Sequence, residues 1–301
     1  MKAQTKKQAA DKFQIVTDKI VQLMEQGVKP WVKPWHSVPY GNLISGHTYR
    51  GINPLLCAID MMTYDYEQPY FIGFSQASEM GWKVRKGSKS TWLRWGGTVC
   101  KETKLEDGST EKEFFGTAKW LQVFNIACLD DSEADRKVSE HLKSVSGSNP
   151  DSRRMDAESF IQTQKATVKH LGDVACYSPS SDAIAMPKFE DFTSAATYYA
   201  TLIHELTHWT GHSSRCDRDL SGRFGSQSYA FEELIAELGA AFVCNELGIE
   251  SEIENHASYL DNWLQALKGD NKAFFKAASA AQKASTFLMT NAGLIEQAEA
   301  A

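Results

Sequence analysis

One pentapeptide constrains this chain more than any other feature. His204-Glu205-Leu206-Thr207-His208 lies inside a run, Thr193 to Trp209, whose apolar residues have helical spacing and which Gly211 stops. On a helix, residues four apart share a face, so both imidazoles can reach one ion. Glu205 between them is placed to take a proton from water at that ion. This HExxH spacing is the signature of zinc hydrolases, and it demands a helix here and a third protein ligand from elsewhere.

The chain beyond the pentapeptide reads HELTHWTGHSS. The longer metzincin pattern needs a histidine where Ser214 stands, and His212 comes two residues early. A better source is the next helix, predicted from Tyr229 to Leu247 with Gly248 as its stop. Phe231, Leu234, Ile235, Leu238 and Phe242 form one face, while Glu233 and Glu237 share another with Ala230, Ala240, Ala241 and Cys244. A helix apolar nearly all round is buried, and a buried carboxylate needs a partner. Glu233 is therefore the expected third ligand, with Asp217 and Asp219 as rivals. Glu237, one turn on, is expected to hydrogen-bond a ligand imidazole, His204. Glu232 is expected to be exposed near the helix start. Glu205 is then the general base, Tyr229 or His212 an oxyanion stabiliser, and Zn²⁺, or another divalent transition metal, the ion. Ala183–Met186 is the expected edge strand for an extended peptide. A metal-stabilised scaffold without turnover is a rival reading, but a purely structural ion has no need of Glu205. A nuclease is another, but nucleases favour carboxylate-rich, often two-metal sites.

Charge is unevenly spread. Residues 1–129 hold 17 Lys+Arg and 12 Asp+Glu, net +5, and six of the eight tryptophans; residues 130–301 hold 15 and 26, net −11. The segment Trp82 to Trp95 carries five cations and three tryptophans without an acid. Cations track phosphates and flat rings stack on unpaired bases, so this half is expected to bind single-stranded DNA. The candidate contacts are Trp31, Lys33, Trp35, Tyr49, Arg50, Trp82, Lys83, Arg85, Lys86, Lys89, Trp92 and Arg94.

Helical spacing over Phe13, Val16, Ile20, Leu23 and Met24 gives a first helix. Further helices are predicted from Asn53-Pro54 to Met62 and over Ser75–Met80. Residues 90–101 and 111–127 read as a long hairpin around Asp107-Gly108. Short strands are predicted at Thr163–His170, Val174–Ser178 and Ala183–Met186, and late helices at 255–268 and 271–290. The fold class is α+β: residues 1–129 form an α+β DNA-binding domain, 130–153 a polar linker, and 154–301 a mostly helical domain with a small sheet. The six cysteines form no CxxC pair and are expected to be reduced thiols. The basic N-terminus lacks an apolar h-region and no run approaches a membrane span, so a cytoplasmic protein is expected.

Several segments together resemble one family. KPWVKPWH, SGHTYRGIN, QASEMGWKVRKG, YYATLIHELTHWTGH and YAFEELIAELGAAF look like those of ArdC-type antirestriction proteins, whose N-terminal domain is similar to that of TraC-type conjugative primases. The resemblance implies a single-stranded-DNA-binding domain and a zincin-like metallopeptidase domain, carried on mobile elements and protecting incoming DNA from host restriction. It implies His204, His208 and Glu233 as ligands and Glu205 as the catalytic residue, and it specifies no protein substrate. The alternative is a DNA-coating protein whose metal domain is structural or catalytically silent.

Overall fold

The computed structural model describes residues 11–31, 40–104, 110–130, 155–223, 225–249 and 260–295. Lys33, Trp35, the Asp107-Gly108 turn and nearly all of the expected linker lie outside these residues. The fold is α+β and divides into two compact units, one from residues 40–130 with 289–295, the other from 11–31 and 155–288.

The first unit is built on a four-stranded sheet of order β1-β2-β4-β3. Its strands are β1 (Gly41–Asn42), β2 (Tyr70–Gly73), β3 (Thr91–Lys104) and β4 (Thr110–Asn125). β3 and β4 form the long antiparallel hairpin, in register from Thr91 opposite Val123 to Lys104 opposite Thr110. Helix α2 (Ile52–Tyr64) is buried from Pro54 to Met61, as its almost unbroken apolar run requires. Asn53 fixes the start of α2 to the basic strand. Its Nδ2 donates to the Arg94 carbonyl (2.9 Å), and the Arg94 N–H donates back to its Oδ1 (2.7 Å). The short α3 (Phe74–Glu79) ends before Gly81, whose φ of +76° is the left-handed backbone that favours glycine. Tyr70, Ile72, Ala77, Trp82, Ile126 and Leu129 form a buried cluster under this turn.

The second unit packs helices around a three-stranded sheet. In chain order it contains α1 (Lys12–Glu25), α4 (Met155–Thr163), β5 (Thr167–His170), β6 (Cys176–Ser178), β7 (Ala183–Met186), α5 (Ala195–Thr210), α6 (Gln227–Leu247), α7 (Leu260–Gly269) and α8 (Ala273–Asn291). Thr163, expected to open a strand, instead ends α4; its hydroxyl donates to the Phe160 carbonyl at 2.6 Å. The sheet order β5-β7-β6 makes Ala183–Met186 the central strand, not the expected edge. β5 runs parallel and β6 antiparallel to it, so the edges belong to Thr167–His170 and Cys176–Ser178.

The first helix also sits elsewhere than its place in the sequence suggests. α1 belongs to the unit of residues 155–288 because Trp31, just after it, packs edge-on against Trp263 of α7 (5.6 Å between centroids) and beside Phe274 of α8. Phe13 adds an edge-to-face contact with Phe275 at 4.8 Å. Among the described residues no helix is long and apolar enough to cross a membrane. Cys57, Cys128, Cys176, Cys216 and Cys244 are free thiols.

Candidate metal centre and basic hairpin

Two capped helices position the site. Ser194 caps α5, its hydroxyl accepting from the Thr197 N–H (3.1 Å), and Ser226 caps α6 by accepting from the Tyr229 N–H (3.2 Å). Gly248, at φ +62°, closes α6. Most residues of both helices are buried. They cross at Gly239, where a Cβ would stand 2.5 Å from Thr207 Cγ2, so only glycine permits this approach.

That close crossing brings His204, His208 and Glu233 together, with one ligand atom from each within 4.8 Å of the others. His204 Nε2 lies 3.1 Å from His208 Nε2. Glu233 reaches both rings, Oε2 at 3.6 Å from His204 Nε2 and Oε1 at 3.4 Å from His208 Nε2. With metal–ligand bonds near 2.0–2.1 Å and tetrahedral angles, ligand atoms stand about 3.3 Å apart. The triangle therefore fits one divalent ion without rearrangement. The rivals are placed otherwise. Asp217 is exposed at φ +48°, and Asp219 Oδ1 is occupied by the N–H and hydroxyl of Ser221.

Glu232 is the main correction to the sequence reading. It is buried, not exposed. Its Oε1 lies 3.1 Å from His208 Nδ1, which turns the Nε2 of that ring toward the triangle. Arg218 holds the same carboxylate in a two-pronged pair, Nε to Oε2 at 2.9 Å and Nη2 to Oε1 at 2.7 Å. Arg218 is anchored in turn on the Thr207 carbonyl (2.7 Å) and the Thr210 hydroxyl (2.8 Å) of α5. A carboxylate behind a ligand histidine fixes its tautomer and raises its basicity. Glu237, expected in that role for His204, is 1 % exposed one turn beyond Glu233. Burial pushes its carboxyl pKa up, against the charges of His204 and Lys29.

The electrostatics show a site that wants a cation. Burial alone would depress His208, but its bonds to Glu232 and Glu233 and the charges of Glu233 and Glu205 outweigh it, raising its pKa from 6.5 to about 10. Burial would raise Glu233, yet its bonds to both imidazoles hold it well below the usual carboxylate range. Without an ion, a proton on His208 balances the carboxylates; a divalent ion can take its place.

Glu205 is buried on α5 between the two histidines, and its charge is among those that raise His208. Of the two edge strands, β6 is the one that packs against α5. Arg215 fastens that strand to the end of α5: its Nε donates to the Trp209 carbonyl, its guanidinium covers the Trp209 ring at 4.0 Å, and it bonds Asp182 and the Tyr177 hydroxyl. Tyr229 lies one turn before Glu233, on the same face of α6. His212 sits in the turn after α5 with Nδ1 2.9 Å from the Ser214 hydroxyl, outside the three-residue group.

The basic half sorts its candidates by burial. Trp31 (1 % exposed), Trp82 (4 %) and Tyr49 (5 %) are core residues, so the structure corrects their assignment as base-stacking rings. Their burial leaves no ring face for a base. Arg85 is committed to the carbonyls of Leu129 and Ala127. Arg50, Lys83, Lys86 and Lys89 are exposed, while Trp92 and Arg94 are half-buried. The hairpin supplies contacts that the sequence reading missed. Arg94 pairs across the strands with Trp120, its guanidinium 5.1 Å from the ring. On the next rung Lys119 Nζ lies 5.9 Å from Trp95, which is 48 % exposed. Strand alternation puts these two cation–ring pairs on opposite faces. Lys119 and Trp120 become candidates only once the register is known.

Residues 10–124 match the N-terminal domain of the anti-restriction factor ArdC, and residues 155–280 match a zincin-like metallopeptidase family. The crystal structure of antirestriction protein ArdC from plasmid R388 is similar in its metal-free form, with TM-score 0.74 and 35% identity over 96% of this chain and 100% of that one. Its Mn(II)-bound form gives TM-score 0.73 and 36% identity over 95% and 100%. Two DNA primases TraC from Escherichia coli are 34% and 33% identical over 292 and 287 residues, but this chain spans only 20% and 26% of their length. The protein y4eC of Sinorhizobium fredii is 33% identical over 285 residues, covering 91% of this chain and 90% of that protein. With coverage nearly complete in both directions, this chain belongs to the ArdC-type antirestriction family and carries a zincin-like domain in residues 155–280.

Proposed function

We propose that this protein binds single-stranded DNA through its N-terminal half, holds a zinc ion between His204, His208 and Glu233, and uses that centre to hydrolyse peptide bonds in the cytoplasm while protecting incoming DNA from restriction. Residues 1–129 serve DNA and 154–301 the metal centre, with 130–153 between them; α1 is shared out structurally to the second unit. The observation that carries the reading is the His204–His208–Glu233 triangle with Glu205 beside it. Two histidines and one carboxylate from the protein make a zinc set that leaves a position for water and substrate.

A bound zinc ion supplies Lewis-acid polarisation of a carbonyl and acidifies a water there. Glu205 accepts the proton of the attacking water and delivers it to the leaving nitrogen. Glu232, held by Arg218, faces His208 Nδ1 and so turns the Nε2 of that ring toward the ion. The outer edge of β6, unpaired among the described residues, offers main-chain groups to an extended peptide. Tyr229, on the face of Glu233, is the stabiliser we favour for the oxyanion, ahead of His212. The hairpin rungs Arg94/Trp120 and Trp95/Lys119 offer ring and cation to unpaired bases and their phosphates. The N-terminal ArdC match and the TraC relatives support a DNA partner.

Glu205→Gln tests the reading. The variant should keep its zinc and its DNA binding and lose peptide cleavage; undiminished cleavage refutes the role of Glu205. Antirestriction measured in the same variant separates two routes. Loss of protection shows that hydrolysis is needed. Full protection shows that DNA coating suffices, which the ring-bearing hairpin would explain.

A further inference from the structure

The unit that holds the metal centre also contains a cavity of about 480 Å³, walled by the start of α1, the turn after α5 and one face of α8. Phe13, Phe275, Arg218, Lys272, Lys276 and Lys283 line it. Lys276 and Lys283 lie two turns apart on α8, and Lys272 lies one turn before Lys276, so their ammonium groups share a face. Four cations around one cavity are unexpected in a half-chain of 15 Lys+Arg and 26 Asp+Glu. Asp270 answers Lys276 at 2.8 Å, while Lys283 makes no ion pair among the described residues. Lys272 Nζ stands 5.9 Å from the ring of Phe13, which meets Phe275 edge-to-face.

Arg218 is the informative member. Its side chain is 9% exposed, and its Nε and both Nη2 hydrogens are used, with one Nη1 hydrogen on Thr210. A guanidinium has five N–H donors, so one Nη1 N–H is left over without a partner among the described residues. A buried donor at a cation-rich wall favours an anion with oxygens to share, and a phosphate satisfies both. The ring faces add a place for a flat base. The volume falls within the ordinary range for small-ligand sites.

We propose that this cavity binds a nucleotide, its phosphate on Arg218 and the lysines and its base against the phenyl rings. The nucleotide is either free or the 5′-terminal residue of a DNA strand. This site stands independently of the peptidase and hairpin readings.

The test uses the full chain, stripped of metal so that phosphate oxygens cannot report on the metal centre. It is titrated calorimetrically at low salt with inorganic phosphate, dTMP, dTTP, and 5′-phosphorylated and 5′-hydroxyl oligothymidylate. The unmodified chain is compared with K276Q/K283Q, two exposed positions whose replacement leaves the thermal midpoint in place. A nucleotide should bind about tenfold tighter than inorganic phosphate, and the double variant should lose about tenfold in affinity. Preference for the 5′-phosphorylated strand, or for dTTP, supports the site and names its source. Equal affinity for dTMP and inorganic phosphate overturns the nucleotide assignment. Absence of saturable binding, or equal affinity in the double variant, overturns the site.

Discussion

Gly239→Ala tests whether the helix crossing sets the metal site. The new Cβ would lie 2.5 Å from Thr207 Cγ2 and 3.0 Å from Thr207 Oγ1. Carbon atoms in contact prefer about 3.5–4.0 Å, so one atom must move by roughly an ångström. Thr207 cannot yield cheaply. It is fully buried, and its hydroxyl is tied to the Ile203 carbonyl at 2.9 Å. Overpacking of this kind costs about 1–3 kcal/mol. Replacing glycine within a helix returns about 1 kcal/mol. The net expectation is a loss of up to about 2 kcal/mol, whereas propensity alone predicts a gain. Glu233 rides on α6 and the histidines on α5, so prying the helices apart also opens the 3.4 and 3.6 Å edges of the triangle. Zinc affinity should fall at least tenfold. Thr207→Ser removes the offending methyl, so T207S/G239A should recover most of both losses, a coupling visible in a double-mutant cycle. Urea unfolding with and without zinc, and chelator competition, measure the two quantities. A stabilised Gly239→Ala, or strictly additive effects in the double variant, would falsify the close-contact account.

Three further outcomes follow from particular side chains. Glu232→Gln leaves Arg218 buried without its carboxylate and should destabilise the fold by about 3–5 kcal/mol while lowering zinc affinity 10–100-fold; unchanged denaturation and chelator-competition curves would contradict its role behind His208. His208 gains a proton partner in the metal-free state, so its stabilising contribution is complete below pH 6.5 and disappears as pH rises through about 10. Zinc must displace that proton, so calorimetry in buffers of different ionisation enthalpy should count about one proton released near pH 8, with affinity rising about tenfold per pH unit; zero released protons sinks the argument. On the hairpin, Trp95→Ala and Lys119→Gln should weaken single-strand binding at unchanged stability, with log K falling about 0.7 per log unit of salt for each phosphate neutralised. Trp82→Ala should instead cost about 3–5 kcal/mol of folding free energy, and a loss of DNA affinity without loss of stability there would show that its burial is misread.

Local signals were legible where one segment decides its own structure. Apolar periodicity with Gly211 and Gly248 as stops located α5 and α6 to within a few residues, because period and stop signals act locally, while the serine caps emerged only in the structure. The hairpin strands followed from β-branched and aromatic residues on either side of Asp107-Gly108. What escaped depends on partners distant in sequence. Glu232 reads as an exposed acid until Arg218, from an irregular segment, arrives to neutralise it. Ala183–Met186 reads as an edge because nothing local tells that β5 enters parallel on its far side. Trp31 and Trp82 sit in basic stretches that invite a nucleic-acid reading, yet each fills a core, one through Trp263 and the other through the Tyr70–Leu129 cluster. Composition reports rings and charges; only packing decides which rings remain available.

Anomalous diffraction at the zinc edge, from crystals of the full chain grown with zinc, goes directly to the centre of this account. One peak should lie about 2 Å from His204 Nε2, His208 Nε2 and a Glu233 carboxylate oxygen, with Glu232 still on His208 Nδ1 and one side of the ion open to solvent. A peak elsewhere, or an ion closed off by a fourth protein ligand, would contradict it.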